Sequence, residues 1–168
     1  AAAPLYPVRP FEEKSDEELI KDILVKSFFL HEVHSYIWAY SDELRKLGIE
    51  VEKNVRLRNA TNPNIETLRR SMIPTQLCQV NQNTSYAPEF GIFEIGRVID
   101  GLDENNMCRE SKKLAITLFS KVHDAEKLYF KLIEMLATLT DSIKHRSPAF
   151  AKRSADHAYI HPKNCNDV

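Results

Sequence analysis

A chain of 168 residues with 43% hydrophobic content has enough apolar material to fill one core and too much to stay unfolded, so one domain is expected and general disorder is excluded. A formal net charge of −1 provides no basic excess to attract nucleic acid by counterion release. Only four glycines are present, none in a GxxxxGK or GxGxxG arrangement, which argues against a glycine-rich phosphate loop.

Residues 1 to 14 hold Pro4, Pro7 and Pro10 and are expected to form an extended lead-in or linker with no helix or ladder of its own. Ser15-Asp16-Glu17-Glu18 is a capping box opening a helix whose Leu19, Ile20, Ile23 and Leu24 make one stripe, ending near Phe28 or Phe29. From Glu32 to Tyr40, Val33, Ser35, Ile37 and Ala39 alternate with His34, Tyr36, Trp38 and Tyr40. Their aromatic and β-branched content predicts a strand with both faces substantially covered. Ser41 should cap a short helix through Leu47, stopped by Gly48. Val55 and Leu57 alternate with Arg56 and Arg58 as a short strand with one wet face, and the NATNPN cluster that follows is a turn.

Ser71 or Thr75 is placed to cap the next helix, with Pro74 in its first turn, running to about Asn83. Phe90 to Ile99 is apolar on both faces: Phe90, Ile92 and Val98 fall on one side, Phe93, Ile95 and Ile99 on the other, as in a central strand covered twice. The polar run from Gly101 to Lys112 is expected to be a loop, with a strand resuming over Leu114 to Phe119. Asp124 then caps the longest amphipathic helix, in which Leu128, Leu132, Met135, Leu136 and Leu139 keep the helical period. From Ser142 the pattern weakens, although Ala158-Tyr159-Ile160 has the makings of a short strand before the His161-Pro162 turn. The fold class is α+β, a mainly antiparallel sheet packed by helices.

Cys78, Cys108 and Cys165 are odd in number and unrelated in spacing, which fits a reducing, cytoplasmic setting and neither a disulfide framework nor a zinc site. No apolar run approaches a membrane span of about twenty residues, and the N-terminus resembles neither a signal peptide nor a targeting helix. His31 and His34, three apart on a strand, point to opposite faces and cannot share an ion. His157 and His161 sit four apart, but Pro162 argues against the helix that would align them. No GxSxG, HExxH or DxDxDG occurs, so no catalytic or metal-binding residue is assigned.

Four charged residues remain as substrate-binding candidates. Glu94 and Arg97 interrupt the apolar strand, and a carboxylate there is costly unless paired or hydrogen-bonded. The plainer reading is that Glu94 satisfies backbone or a neighbouring basic group. Arg69 and Arg70, before a helix start, could hold a carboxylate or phosphate, although an arginine pair at a turn is more often solvated surface or interface.

The strand PEFGIFEIGRVI resembles the first strand of the motif 2 hairpin of class II aminoacyl-tRNA synthetases. The chain as a whole resembles the catalytic-like domain of the phenylalanyl-tRNA synthetase β subunit. That family has a proline-bearing lead-in, a helix and a GF-x-EV-x-x-YSF strand, matched here by Leu30 to Tyr40 followed by Ser41-Asp42-Glu43-Leu44. Its NP turn, LRTSLLPGLL segment and FEIGRVF strand are matched by Asn59-Ala60, Leu68 to Leu77 and Phe93 to Ile99. Its late helix and FLHPGRSA turn correspond to Asp124 to Leu139 and Tyr159 to Cys165. The chain departs from the pattern at Phe29, where the family has glycine, at Ala60 for proline, at Arg70 for threonine, and at Lys163-Asn164 for Gly-Arg.

The resemblance implies one class II synthetase-like domain over residues 15–168, continued in the family by further strands, so that the chain is expected to be truncated at its C-terminus or completed by a partner. It implies a non-catalytic scaffold that packs against the catalytic α subunit of a heterotetramer, meets tRNA through the whole complex, and needs ATP and Mg only in the parent enzyme. Active class II enzymes continue the motif 2 strand through an arginine, as in FRxE, that holds the ATP α-phosphate; here Val98-Ile99 is followed by Asp100-Gly101, and a carboxylate would repel that phosphate. The alternatives are a stand-alone class II paralogue that activates an amino acid or other carboxylate, with Glu94 and Arg97 in its pocket, and a tRNA-contacting module using Arg69 and Arg70.

Overall fold

The strand predicted to be central is central. A computed structural model describes residues 15–51, 54–60 and 62–146. Within them the elements are α1 (Asp16–Lys26), β1 (His31–Glu32), β2 (Trp38–Ala39), α2 (Ser41–Lys46), β3 (Thr67–Leu68), α3 (Ile73–Asn83), β4 (Glu89–Leu102), β5 (Cys108–Ser120) and α4 (Ala125–Arg146), with a 3-10 turn at Pro63–Ile65. β4 lies between β1, paired parallel through His31↔Ile92 and Glu32↔Phe93, and β5, paired antiparallel from Glu89↔Ser120 to Leu102↔Cys108. A register shift between Ile99 and Gly101 marks a bulge near the far end. β2 and β3 form a separate two-stranded antiparallel sheet. The class is therefore α+β, with an antiparallel hairpin as its main pairing.

Alternation along β4 decides what lies on each face. Phe93 is fully buried and packs with Leu24 of α1, Leu30, and Met135 and Leu139 of α4, with Leu114, Ile116 and Leu118 of β5 against the same cluster. The opposite face receives α3: Gln76 Nε2 donates to the Ala115 carbonyl at 3.2 Å, and Thr117 Oγ1 donates to Gln76 Oε1 at 2.6 Å. Burying Gln76 completely is tolerable because both ends of its amide are bonded.

Caps place the helices. The α1 capping box forms, with Ser15 Oγ accepting from the Glu18 amide at 3.2 Å and Glu18 Oε2 accepting from the Ser15 amide at 2.7 Å. Asp124 Oδ1 accepts from the Lys127 amide at 3.0 Å at the start of α4, which continues to Arg146, past the point where its sequence pattern fades. Neither Ser71 nor Thr75 caps α3: Met72 holds the N-cap position without a side-chain bond, and Ser71 Oγ accepts from the Ile73 amide, at 3.2 Å. Ser41 does not cap: it is the first residue of α2, Tyr40 precedes it, and its buried hydroxyl has no hydrogen-bond partner. Gly48 follows α2 in the left-handed region, at φ +72°.

Three strand expectations are corrected. Glu32 to Tyr40 is not one strand: β1 and β2 belong to different sheets, and between the Val33 amide, which bonds the Phe93 carbonyl, and the Ile37 carbonyl, which accepts from Arg69, the Ser35 amide bonds the Glu94 carboxylate instead of a neighbouring strand. Its aromatic face is also open, with Tyr36 71% exposed. The run from Gly101 to Lys112 is mostly strand. Its turn is only Asp103 to Met107, closed by Asp103 Oδ1 accepting from the amides of Asn105 (2.9 Å) and Met107 (2.8 Å), with Asn106 at φ +59°. The ribbon is polar because it projects into solvent. Val55 to Arg58 contributes only an isolated bridge, Arg56 to Thr67. Residues 1–14, Ala158 to Ile160, the His157 and His161 pair and the turn from Tyr159 to Cys165 lie outside the described residues.

Candidate functional site

Glu94 is buried within β4 and meets Arg69, which follows β3. Arg69 Nη2 lies 2.9 Å from Glu94 Oε1, with both side chains almost wholly enclosed. Ser35, from the segment between β1 and β2, completes the arrangement: its hydroxyl donates to Glu94 Oε2 at 2.6 Å, its amide to Oε1 at 3.3 Å, and its Oγ accepts from Arg69 Nη1 at 2.6 Å. Arg69 Nε donates to the carbonyl of Arg97 at 2.9 Å. Both carboxylate oxygens and all three guanidinium nitrogens are thus engaged within the protein.

Gly96 makes room for this network. A Cβ there would overlap Arg69 Nη2 and stand 2.8 Å from Met72 Sδ and 2.9 Å from Glu94 Oε1. The Arg69 backbone is fixed as well, its amide donating to the Ile37 carbonyl at 2.8 Å and its carbonyl accepting from the Ile99 amide at 2.9 Å. Arg69 therefore joins the small sheet to the large one, and the expectation of a solvated arginine pair fails for it: the cost of burial is offset by charge-assisted hydrogen bonds.

The other candidates do not converge on Glu94. Arg97 points to solvent and pairs with Glu110 across the ribbon at 3.2 Å. Arg70 is exposed and lines a mainly apolar cavity of about 250 Å3 with Leu44, Ile49, Ile73 and Pro74. Asp100 pairs with Lys113 at 3.1 Å, and its neighbours Ser111 and Lys113 hold its carboxyl below the usual range. His34 Nε2 lies 3.3 Å from Glu32 Oε1. Among the described residues no three His, Cys, Asp or Glu side chains group as metal ligands, and no helix is long and apolar enough to cross a membrane.

Sequence reasoning missed Ser35, whose role depends on a carboxylate 59 positions away. It also separated Arg69 from Glu94. The need for a partner was legible, though not its identity: a carboxylate in an apolar strand needs a cation, and a glycine two residues on provides space for one on the same face.

The family model described as the phenylalanyl tRNA synthetase beta chain CLM domain matches residues 2–168. Among solved structures the fold is similar to that of pyrrolysyl-tRNA synthetase from Desulfitobacterium hafniense, with a TM-score of 0.59 at 17% identity, covering 75% of this chain and 45% of that one. The chain thus spans under half the length of that synthetase. No curated protein matches the sequence.

Proposed function

The chain belongs to the phenylalanyl tRNA synthetase beta chain CLM domain family, and from that premise we propose that it is a non-catalytic domain of a β chain that acts as a scaffold for the α subunit in tRNA(Phe) aminoacylation in the cytoplasm. One observation carries this reading. Where the resemblance places the phosphate-binding arginine of an active class II enzyme, this chain has Asp100, a carboxylate paired with Lys113 at 3.1 Å. An acceptor in that position provides no donor or positive charge for a triphosphate. Glu94 of the same strand and Arg69, which follows β3, direct their charges at each other. ATP and Mg would then act only in the α subunit, and contact with tRNA would come through the assembled complex.

A pyrophosphate-exchange assay with phenylalanine and ATP tests the proposal. The expected result is no exchange by the protein alone and exchange once an α subunit is added, with co-elution of the two chains. Exchange by the protein alone would instead make it a stand-alone class II enzyme and overturn the scaffold reading.

A further inference from the structure

We propose that the cleft between residues 34–40 and α3 binds an organic cation, a guanidinium or ammonium head carried on an aliphatic stem. The cleft has a volume of about 280 Å3 and is bounded by Tyr36, Trp38, Glu43, Cys78 and Gln79. That is just below the roughly 300–1,000 Å3 of pockets that take drug-sized ligands, and it suits a group the size of one long side chain.

Three features of the walls have the same complement. Tyr36 and Trp38 place their ring centroids 5.7 Å apart at 45°, and both rings are open to solvent; an aromatic face attracts a cation through its quadrupole. Glu43 is the only Asp, Glu, Lys or Arg of the lining. It stands beside the Cys78 thiol, another wall of the cleft, whose pKa it raises after burial. Lys46, which acts weakly in the opposite sense on that thiol, contributes no wall. Gln79 Oε1 is buried with no hydrogen-bond partner, and a buried acceptor left unpaired is costly until a donor reaches it.

An anion finds no lysine or arginine in this lining, whose one imidazole, His34, stands 3.3 Å from Glu32 Oε1, and an apolar guest would leave Gln79 unpaired while desolvating Glu43. A guanidinium complements all three walls, with donors for Glu43 and, once the Gln79 amide turns toward the cleft, for its Oε1, and a planar face for the rings. Two sources carry this chemistry: a free small cation and the arginine side chain of a partner chain.

Trp38 is the only tryptophan in the sequence, so its fluorescence reports on the cleft. The full chain is titrated with n-butylguanidinium, with capped arginine (N-acetyl-arginine amide), and with the neutral isostere N-acetyl-citrulline amide. Saturable emission changes are expected for the guanidinium compounds at a Kd on the order of 1 mM, with none for citrulline, and Glu43→Gln should weaken binding about tenfold or more. Tighter binding of the capped arginine assigns the site to a partner's side chain, and tighter binding of butylguanidinium to a free ligand. Absence of saturation, an equal response to citrulline, or unchanged affinity in a Glu43→Gln protein with a native circular dichroism spectrum overturns the proposal. The citrulline comparison stands even if that variant fails to fold.

Discussion

Glu94 and Arg69 show what one buried charge demands of its surroundings. Removing one partner leaves the other charge enclosed without compensation, whereas removing both leaves mainly a packing problem. Glu94→Gln should therefore destabilise the chain by about 3 kcal/mol in urea unfolding, and Arg69→Met combined with Glu94→Gln should cost well under the sum of the single changes. Additive costs would show that the pair is not coupled. A second residue-scale effect concerns alkaline pH. Burial, then Glu43, raises the folded pKa of Cys78 above its ordinary value. As pH rises through that ordinary value the unfolded chain releases the thiol proton while the folded chain retains it, so Cys78 makes stability fall with increasing pH in that window. Alkylation of native protein should need a higher pH at Cys78 than in a free thiol; Glu43→Gln should recover part of the displacement but not all, because burial is the larger cause. An alkylation profile matching that of a free thiol would contradict this. At this scale the sequence announced that Glu94 needed a partner. It could not name Arg69, 25 positions away, since no periodicity links residues across a fold.

Elements were legible where their stabilisation is local. The α1 capping box is written in four consecutive residues and forms as written, so Ser15→Ala should lower stability by about 1 kcal/mol, read from thermal or urea unfolding. An unchanged midpoint would mean that α1 is held by its Leu24 packing alone. The apolar period of α4 was equally plain, because Met135 and Leu139 face the sheet. Strand limits were less legible where pairing does not require burial. The outer half of the β4–β5 hairpin is polar along its sides and held by backbone bonds, with Arg97–Glu110 and Lys113–Asp100 pairs across it. Its composition is therefore that of a loop, and its geometry that of a ribbon. The error at Glu32 to Tyr40 is the converse: a strand-like alternation is interrupted because Ser35 finds a stronger acceptor in Glu94 than a ladder would provide. Intrinsic β preference was overridden by a tertiary hydrogen bond.

Over the molecule as a whole, the described residues build two hydrophobic clusters of unequal size. The larger joins α1, β4 and α4 through Leu24, Leu30, Phe93, Met135 and Leu139, with six partly buried apolar residues against it. The smaller consists of Ala39, Leu44 and Val51, beneath a sheet whose strands are two residues each. A unit of that size buries too little apolar surface to persist unaided. It is attached through Arg69, whose amide bonds Ile37, whose carbonyl accepts from Ile99 and whose side chain reaches Arg97, Glu94 and Ser35. Arg69→Met keeps the backbone bonds and removes the side-chain anchors. The expected outcome in native-state hydrogen exchange is selective. Amides of Leu44, Leu47 and Leu68, which bond within the small unit, should lose protection by at least tenfold, while those of β4 opposite Thr117 to Ser120 keep theirs. Such a split would identify the β2–β3 sheet and α2 as a cooperative unit that opens without unfolding the β4 core. Equal loss of protection at both sites would mean instead that Arg69 stabilises the fold as one unit, and that the two sheets cannot separate before the core is lost.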